Sequence, residues 1–169
     1  ARPFNSWSDT SAIWPENIFE DQQSSLVRTT VVDDKYTLTE WLPPTVHPDR
    51  VTEYHIFRSS DNINFTQLGT VPAGITSFNY RDVDVDQNSY TYRIIVVNDC
   101  GTSGPESNIG KSILVEGFWK DYRTYLNWTP YLLWNTGVER YIIEYLTPQC
   151  VWVPIREVDG STISTEIDD

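Results

Sequence analysis

Asn88-Ser89-Tyr90-Thr91-Tyr92-Arg93-Ile94-Ile95-Val96-Val97-Asn98-Asp99-Cys100-Gly101-Thr102-Ser103-Gly104 decides the fold. Tyr90, Tyr92, Ile94 and Val96 alternate with Thr91, Arg93, Ile95 and Val97, and alternation within β-branched and aromatic residues is the pattern of a strand. Ile95 and Val97 keep the second face apolar too, which places this strand inside its sheet rather than at an edge. Asp99-Cys100-Gly101 and Ser103-Gly104 stop the run with residues that accept positive φ or bond their own backbone. Ser107-Asn108-Ile109 then opens another extended run, so the element reads as a long hairpin with its return strand over 106–115.

Upstream, residues 26–32 and 36–42 read as paired strands, the second stopped by Pro43-Pro44. Leu38 and Trp41 are three apart, so burying both requires a bulge near Thr39-Glu40. Residues 52–58, with Tyr54 and Ile56 on one face, and 65–71 are further strands joined by the turn residues Ser59-Ser60-Asp61-Asn62, and 76–80 is a short one. Apolar spacing at i, i+3, i+4, i+7 is not sustained over three turns anywhere, so the class is all-β.

Downstream the pattern repeats. Tyr125-Leu126-Asn127-Trp128-Thr129-Pro130 restates the strand that ends in Trp41 and prolines, and Tyr141-Ile142-Ile143-Glu144-Tyr145 restates the strand of Tyr54. Trp41 to Tyr54 and Trp128 to Tyr141 both span 13 residues, the self-similarity of a module array. Residues 151–158 and 161–167 supply two more strands, but no second Tyr-x-Tyr strand or return strand follows. The expected organisation is a linker or remnant of a preceding module over 1–25, a complete module over 26–116 and the first half of a second over 117–169. Leu126, Trp128, Ile142 and Tyr145 are expected to face inward in that half. Four strands cannot cover both sides of such a core, so its missing strands are expected from a protein partner or from the remainder of the same protein.

Composition narrows the function. The 24 acidic and 12 basic residues give a net charge of −12, which repels phosphate backbones and anionic lipid, so neither nucleic-acid binding nor membrane insertion is expected. No stretch approaches the ~20 apolar residues of a transmembrane helix. The two cysteines, Cys100 and Cys150, have no metal-ligand spacing and, in a linear tandem, are too far apart to bridge.

The Tyr-x-Tyr-x-Ile-x-Val strand with its Gly/Ser turn resembles the F strand, FG loop and G strand of a fibronectin type III domain. That resemblance implies tandem immunoglobulin-like β-sandwiches, the second incomplete. It makes Tyr90 the structural corner whose hydroxyl returns to the backbone upstream, with an ordinary core tyrosine as the alternative, and it makes Trp41 and Trp128 the core tryptophans. Two further patterns are more specific. Asp99-Cys100-Gly101-x-Ser103-x-x-x-Ser107-Asn108-x-x-x-Ser112-Ile113-x-Val115 and Leu126-Asn127-Trp128-Thr129-Pro130-Tyr131-x-x-Trp134-x-x-Gly137-Val138-x-x-Tyr141 resemble tandem modules of large Bacteroidota cell-surface proteins. Those modules precede the sorting domain of gliding-motility-associated proteins of the type IX secretion system. The likeness covers residues 26–169 and implies an extracellular, cell-surface setting.

Candidate sites are few. His47 in a Pro-rich loop and His55 on a polar strand face lack a nucleophile motif beside them, so no enzyme activity and no cofactor is expected. Asp82, Asp84 and Asp86 raise a calcium loop, but Gln87 and Arg93 stand where an EF-hand needs glycine and glutamate; a solvated loop with Val83 and Val85 turned inward is the alternative. Trp119, Tyr131 and Trp134 fall at a loop and an interdomain joint, where they pack the modules together or bind a ligand such as a surface glycan. Two functions are therefore carried forward: a non-catalytic structural or adhesive module pair making protein–protein contacts, and an accessory module of a secreted polysaccharide-active enzyme.

Overall fold

The computed structural model describes residues 22–133 and 136–168. Strands β1 (Ser25–Val32) and β2 (Tyr36–Leu42) form a hairpin, and a 3-10 turn at Pro48–Arg50 leads into β3 (Val51–Ser59), which pairs with β4 (Thr66–Pro72). The short β5 (Ser77–Tyr80) returns to β2, and β6 (Thr91–Asn98) lies along the other side of β3. Two short pieces, β7 (Ser103–Glu106) and β8 (Gly110–Lys111), pair with the remaining edge of β6. All pairings are antiparallel, giving a β1-β2-β5 sheet packed on a β4-β3-β6-β7 sheet. This is the A-B-E against C′-C-F-G arrangement of a fibronectin type III, immunoglobulin-like sandwich.

The core is built by alternation. Tyr54 and Ile56 from β3 meet Tyr92, Ile94 and Val96 from β6, and Leu26 and Trp41 close it from the opposite sheet. Trp41 packs edge-on against Tyr54 with ring centroids 5.3 Å apart. As its two apolar faces require, β6 is internal to its sheet.

Two details differ from the sequence expectation. The inward positions of β2 are Thr37, Thr39 and Trp41 in strict alternation, while Leu38 points the other way and is half-buried. The bulge lies instead across the hairpin at Val27, where pairing shifts between Leu26–Trp41 and Arg28–Glu40. The return strand is also broken rather than continuous over 106–115. Asn108 leaves β6 and bonds the opposite sheet: its Oδ1 accepts from Leu26 N at 2.8 Å and its Nδ2 donates to Leu26 O at 3.2 Å. Ser107 and Ser112 compensate on either side, their hydroxyls accepting from Ile94 N and Tyr90 N at 2.9 Å.

The second module begins at once with β9 (Val115–Lys120) and β10 (Arg123–Trp128), followed by β11 (Arg140–Leu146), β12 (Trp152–Asp159) and β13 (Ser164–Asp168). The sheets are β13-β10-β9 and β11-β12. The first module's plan recurs at a constant offset of 87 residues: Trp128 stands for Trp41 and Tyr141 for Tyr54. That second pair packs at 5.5 Å and the same 65° interplanar angle as the first. The backbone follows the same offset, since Trp41 N donates to Thr76 O and Trp128 N to Ile163 O. Even the bulge opposite β3 recurs, with Leu68 skipped in one hairpin and Ile155 in the other. The expected inward set is therefore corrected at one place: Tyr141 and Ile143 occupy the positions of Tyr54 and Ile56, Tyr145 continues their row while staying 48 % exposed, and Ile142, 53 % exposed, stands on the alternate row.

Candidate functional site

At Tyr90 the structure shows a side chain reaching back to the loop beneath it. Its hydroxyl accepts from Asp84 N at 3.1 Å and lies 3.4 Å from Asp84 O, while Arg58 covers the ring at 4.8 Å. Of the three aspartates proposed for calcium, Asp84 is thus engaged through its backbone. Among the described residues no three His, Cys, Asp or Glu side chains are grouped to hold a metal ion. Val85 is buried and Val83 packs against the core.

The polar clusters serve turns. Asp61 accepts from Ile63 N, Asn64 N, Asn64 Nδ2 and Ser59 Oγ, and these donors hold its carboxyl well below the usual range. Arg50 clamps Asp99 through two nitrogens and lies 3.3 Å from Cys100 Sγ, tying the β6–β7 turn to the start of β3. His55 Nε2 bonds Glu53 Oε1 at 2.8 Å on a half-exposed face, and the His47 carbonyl accepts from Gln22 Nε2 at 2.9 Å. Cys100 and Cys150 are exposed free thiols in two different turns.

The junction between the modules is the most elaborate non-core assembly. The loop after β10 folds onto the first sandwich, where Leu132 forms a bridge with Lys111 and accepts its N–H at 2.8 Å. Tyr131 places its hydroxyl 3.1 Å from Thr29 N, and burial pushes that phenol up. Leu133, 7 % exposed, enters the first sandwich's core cluster, and its carbonyl accepts from Asn108 Nδ2. Leu114 and Thr129 complete the lock with two 2.9 Å bonds, Thr129 N to Leu114 O and Leu114 N to Thr129 Oγ1.

Of the three aromatics expected at the joint, only Tyr131 is there among the described residues. Trp119 is corrected: it stands near the far end of the β9–β10 hairpin, 62 % exposed, beside Tyr122. Trp134 lies outside the described residues, as do Trp7 and Trp14. Leu133 and Asn108 were missed, because neither has a local pattern saying that it serves the neighbouring unit. On the outer face of the same hairpin Phe118 stacks on Tyr125, with centroids 5.0 Å apart and planes 11° from parallel.

The second site is the open side of the second sandwich. Val115, Leu126, Trp128, Tyr141, Ile143 and Trp152 line an open cleft of about 440 Å³. Trp128 is buried at its floor, yet Val115 and Trp152 on its walls are 58 % and 60 % exposed. The backbone edge of β11 facing away from β12 has no strand on it among the described residues.

Comparison with protein-family models and with curated protein sequences gives no match. Solved structures that the chain resembles include fibronectin type III folds. A Fn3-like protein from Clostridium thermocellum aligns at 15% identity and TM-score 0.45, covering 54% of this chain and 88% of that one. The sixth fibronectin type III domain of a human fibronectin type III domain containing protein aligns at 16% identity and TM-score 0.45, covering 54% and 82%. A β-1,2-glucanase from Parabacteroides distasonis aligns at 15% identity and TM-score 0.43, over 50% of this chain but only 11% of the glucanase. The strand order established above carries the fold without them.

Proposed function

We propose that this chain is a non-catalytic structural module pair of a secreted or cell-surface protein, holding neighbouring parts in a fixed orientation. The observation that carries the reading is the interlocked junction. Leu133 of the second module is buried in the core of the first, and three backbone-mediated links surround it, so the units meet without a hinge. A spacer that fixes the orientation of its neighbours needs that property, because orientation is lost at a flexible joint. Sequence likeness to Bacteroidota gliding-motility-associated proteins supports an extracellular setting with delivery by type IX secretion. No helix among the described residues is long and apolar enough to cross a membrane.

The two exposed thiols test it directly. Nitroxide labels on Cys100 and Cys150, one on each module, should give a narrow distance distribution by pulsed dipolar spectroscopy. A distribution as broad as that of a flexibly linked pair would remove the basis for a rigid spacer.

A second reading, an accessory module of a polysaccharide-active enzyme, draws on the hairpin aromatics. Trp119 and Tyr122 are 62 % and 81 % exposed, and flat exposed rings are what a sugar face stacks on. Retardation in polysaccharide-containing gels that disappears in Trp119→Ala would favour it; equal mobility with and without polysaccharide favours the structural reading.

A further inference from the structure

We propose that the outer face of the β13-β10-β9 sheet carries a binding site for a neutral pyranose sugar, built on Tyr125 and Phe118. The site rests on the second reading above, the accessory module, and does not need the stiff joint. Alternation sets the face. Leu126 and Trp128 point into the sandwich and line its cleft, so Tyr125 and Asn127 point away from it, alongside Phe118 of β9 and Ser164 and Glu166 of β13. The first sandwich turns the matching face of its β1-β2-β5 sheet outward as well, so this exposure belongs to the sandwich plan and not to the cleft on the other side.

The repeat shows that the fold does not call for rings there. Tyr125 pairs with Phe118 on one side and Glu166 on the other, and the same places in the first sandwich hold Leu38, Thr30 and Asn79. Two stacked rings and a carboxylate thus replace a leucine, a threonine and an amide, with Phe118 left exposed. The next cross-strand pair changes too. Arg28 and Glu40 close it in the first module with a 2.7 Å ion pair, whereas the second sets Glu116 opposite Asn127 and so leaves an amide uncovered by any arginine.

The chemistry of the lining names the ligand. An open pocket of about 380 Å³ lies against the two rings, with Asn127, Ser164 and Glu166 in its walls. That is within the roughly 300–1,000 Å³ of small-molecule sites. An aromatic ring offers an apolar surface to the C–H face of a sugar. An amide, a hydroxyl and a carboxylate together supply the donors and acceptors that its hydroxyls need. Arg123 orients the carboxylate, since its Nη1 holds Glu166 Oε1 at 3.1 Å while its Nε pairs with Asp168 at 2.9 Å. Charge selects for a neutral sugar: Glu116, Glu166 and Asp168 outnumber Arg123 and Lys120 on this face, in a chain of net charge −12.

The test titrates the chain with cellohexaose, laminarihexaose and mannohexaose, with hexagalacturonate as the charged arm, and follows backbone amide shifts by NMR. At least one neutral sugar should shift Phe118, Tyr125, Asn127 and Ser164 in a saturable way. Tyr125→Leu combined with Phe118→Thr installs the first sandwich's own residues, so β10 should keep its amide protection while the affinity falls by about tenfold or more. Asn127→Asp leaves the rings and the volume as they are and should weaken the same sugar by removing the amide donors. Binding that survives both variants unchanged overturns the site. So does a preference for hexagalacturonate, or no saturable shift on this face at millimolar concentrations of all three neutral sugars. Shifts centred on Trp119 and Tyr122 instead keep the accessory reading and overturn this site. None of these results touches the rigid spacer, which the distance between the two thiols decides.

Discussion

Replacing Leu133 by alanine should weaken the first sandwich although the residue belongs to the second. The change removes three carbons from a side chain that is 7 % exposed and sits in the cluster with Leu26, Trp41 and Tyr92. At ~0.8 kcal/mol per buried methylene the transfer loss alone is about 2.4 kcal/mol. Leu→Ala in well-packed cores costs roughly 2–5 kcal/mol, the excess coming from the cavity. Leu133 enters from a loop at the rim, where neighbours can close in, so the lower half of that range applies, about 2–3 kcal/mol. For a domain of this size each kcal/mol moves the melting temperature by about 4–8 °C. The assay is urea denaturation read by segment-resolved amide exchange, so that β1 and β6 are followed separately from β10. Leu132→Ala is the control: Leu132 is 39 % exposed and contributes its bridge through the backbone, so its loss should stay within about 0.5 kcal/mol. If Leu133→Ala leaves the opening free energies of β1 and β6 unchanged while lowering that of β10, the interlock is not real and the reading of a stiff joint goes with it.

Gly110→Ala should destabilise the same region by about 1–3 kcal/mol, because its Cβ would collide with Thr29 Oγ1 and lie 3.0 Å from Leu133 Cδ1; a cycle with Thr29→Ala should show part of the cost recovered. Tyr90→Phe should cost about 1–2 kcal/mol in the denaturation midpoint: Asp84 N loses its acceptor, while Asp84 O keeps the donor Asn88 N at 3.1 Å, and an unchanged midpoint would deny Tyr90 a corner role. Asp61 has a folded-state pKa below its unfolded one, so its turn contributes stability that is present above the ordinary carboxylate range and lost as pH falls through the folded value. Asp61→Ala should therefore be less stable than the parent at neutral pH and converge with it under strong acid; a difference that persists unchanged to the lowest pH would show that its charge is not what holds the β3–β4 turn.

The strands of the first sandwich were legible because one side chain in two must be apolar and the turns between them carry Gly, Pro, Asn and Asp. Where reading failed, the core used polar residues. Thr37 and Thr39 are each 1 % exposed, and Thr37 Oγ1 bonds the Tyr92 hydroxyl at 2.5 Å, so the inward row of β2 looks hydrophilic in sequence. Leu38 thus looks like the core residue of β2, although the bulge of this hairpin sits in β1 at Val27. The failure in β11 is of the opposite kind. Arg140 and Glu144 flank Ile142 on one face and Tyr141, Ile143 and Tyr145 share the other, so strict alternation, like the 87-residue offset from Tyr54 and Ile56, turns Tyr141 and Ile143 inward and cannot bury Ile142 together with Tyr145.

The joint was illegible for a deeper reason, which the repeat itself exposes. Leu132 and Leu133 act on Lys111 and Asn108, residues that precede their own module, and no local period relates a loop to the strand before it. The same relation exists one repeat earlier. Gln22 and Ser24, before β1, are each 1 % exposed, and Gln22 Nε2 donates to the carbonyl of His47 in the loop after β2. Counting 87 residues on, Gln22 and Ser24 correspond to Ile109 and Lys111, and the loop holding His47 corresponds to the one holding Leu132 and Leu133. In each module the loop between its second and third strands closes over the chain that enters it. Burying a glutamine completely is unfavourable unless its amide is bonded, and here the bond goes to that loop rather than to the strands. The contact at the joint is thus common to both modules of this chain, and its partners are encoded a full strand pair apart.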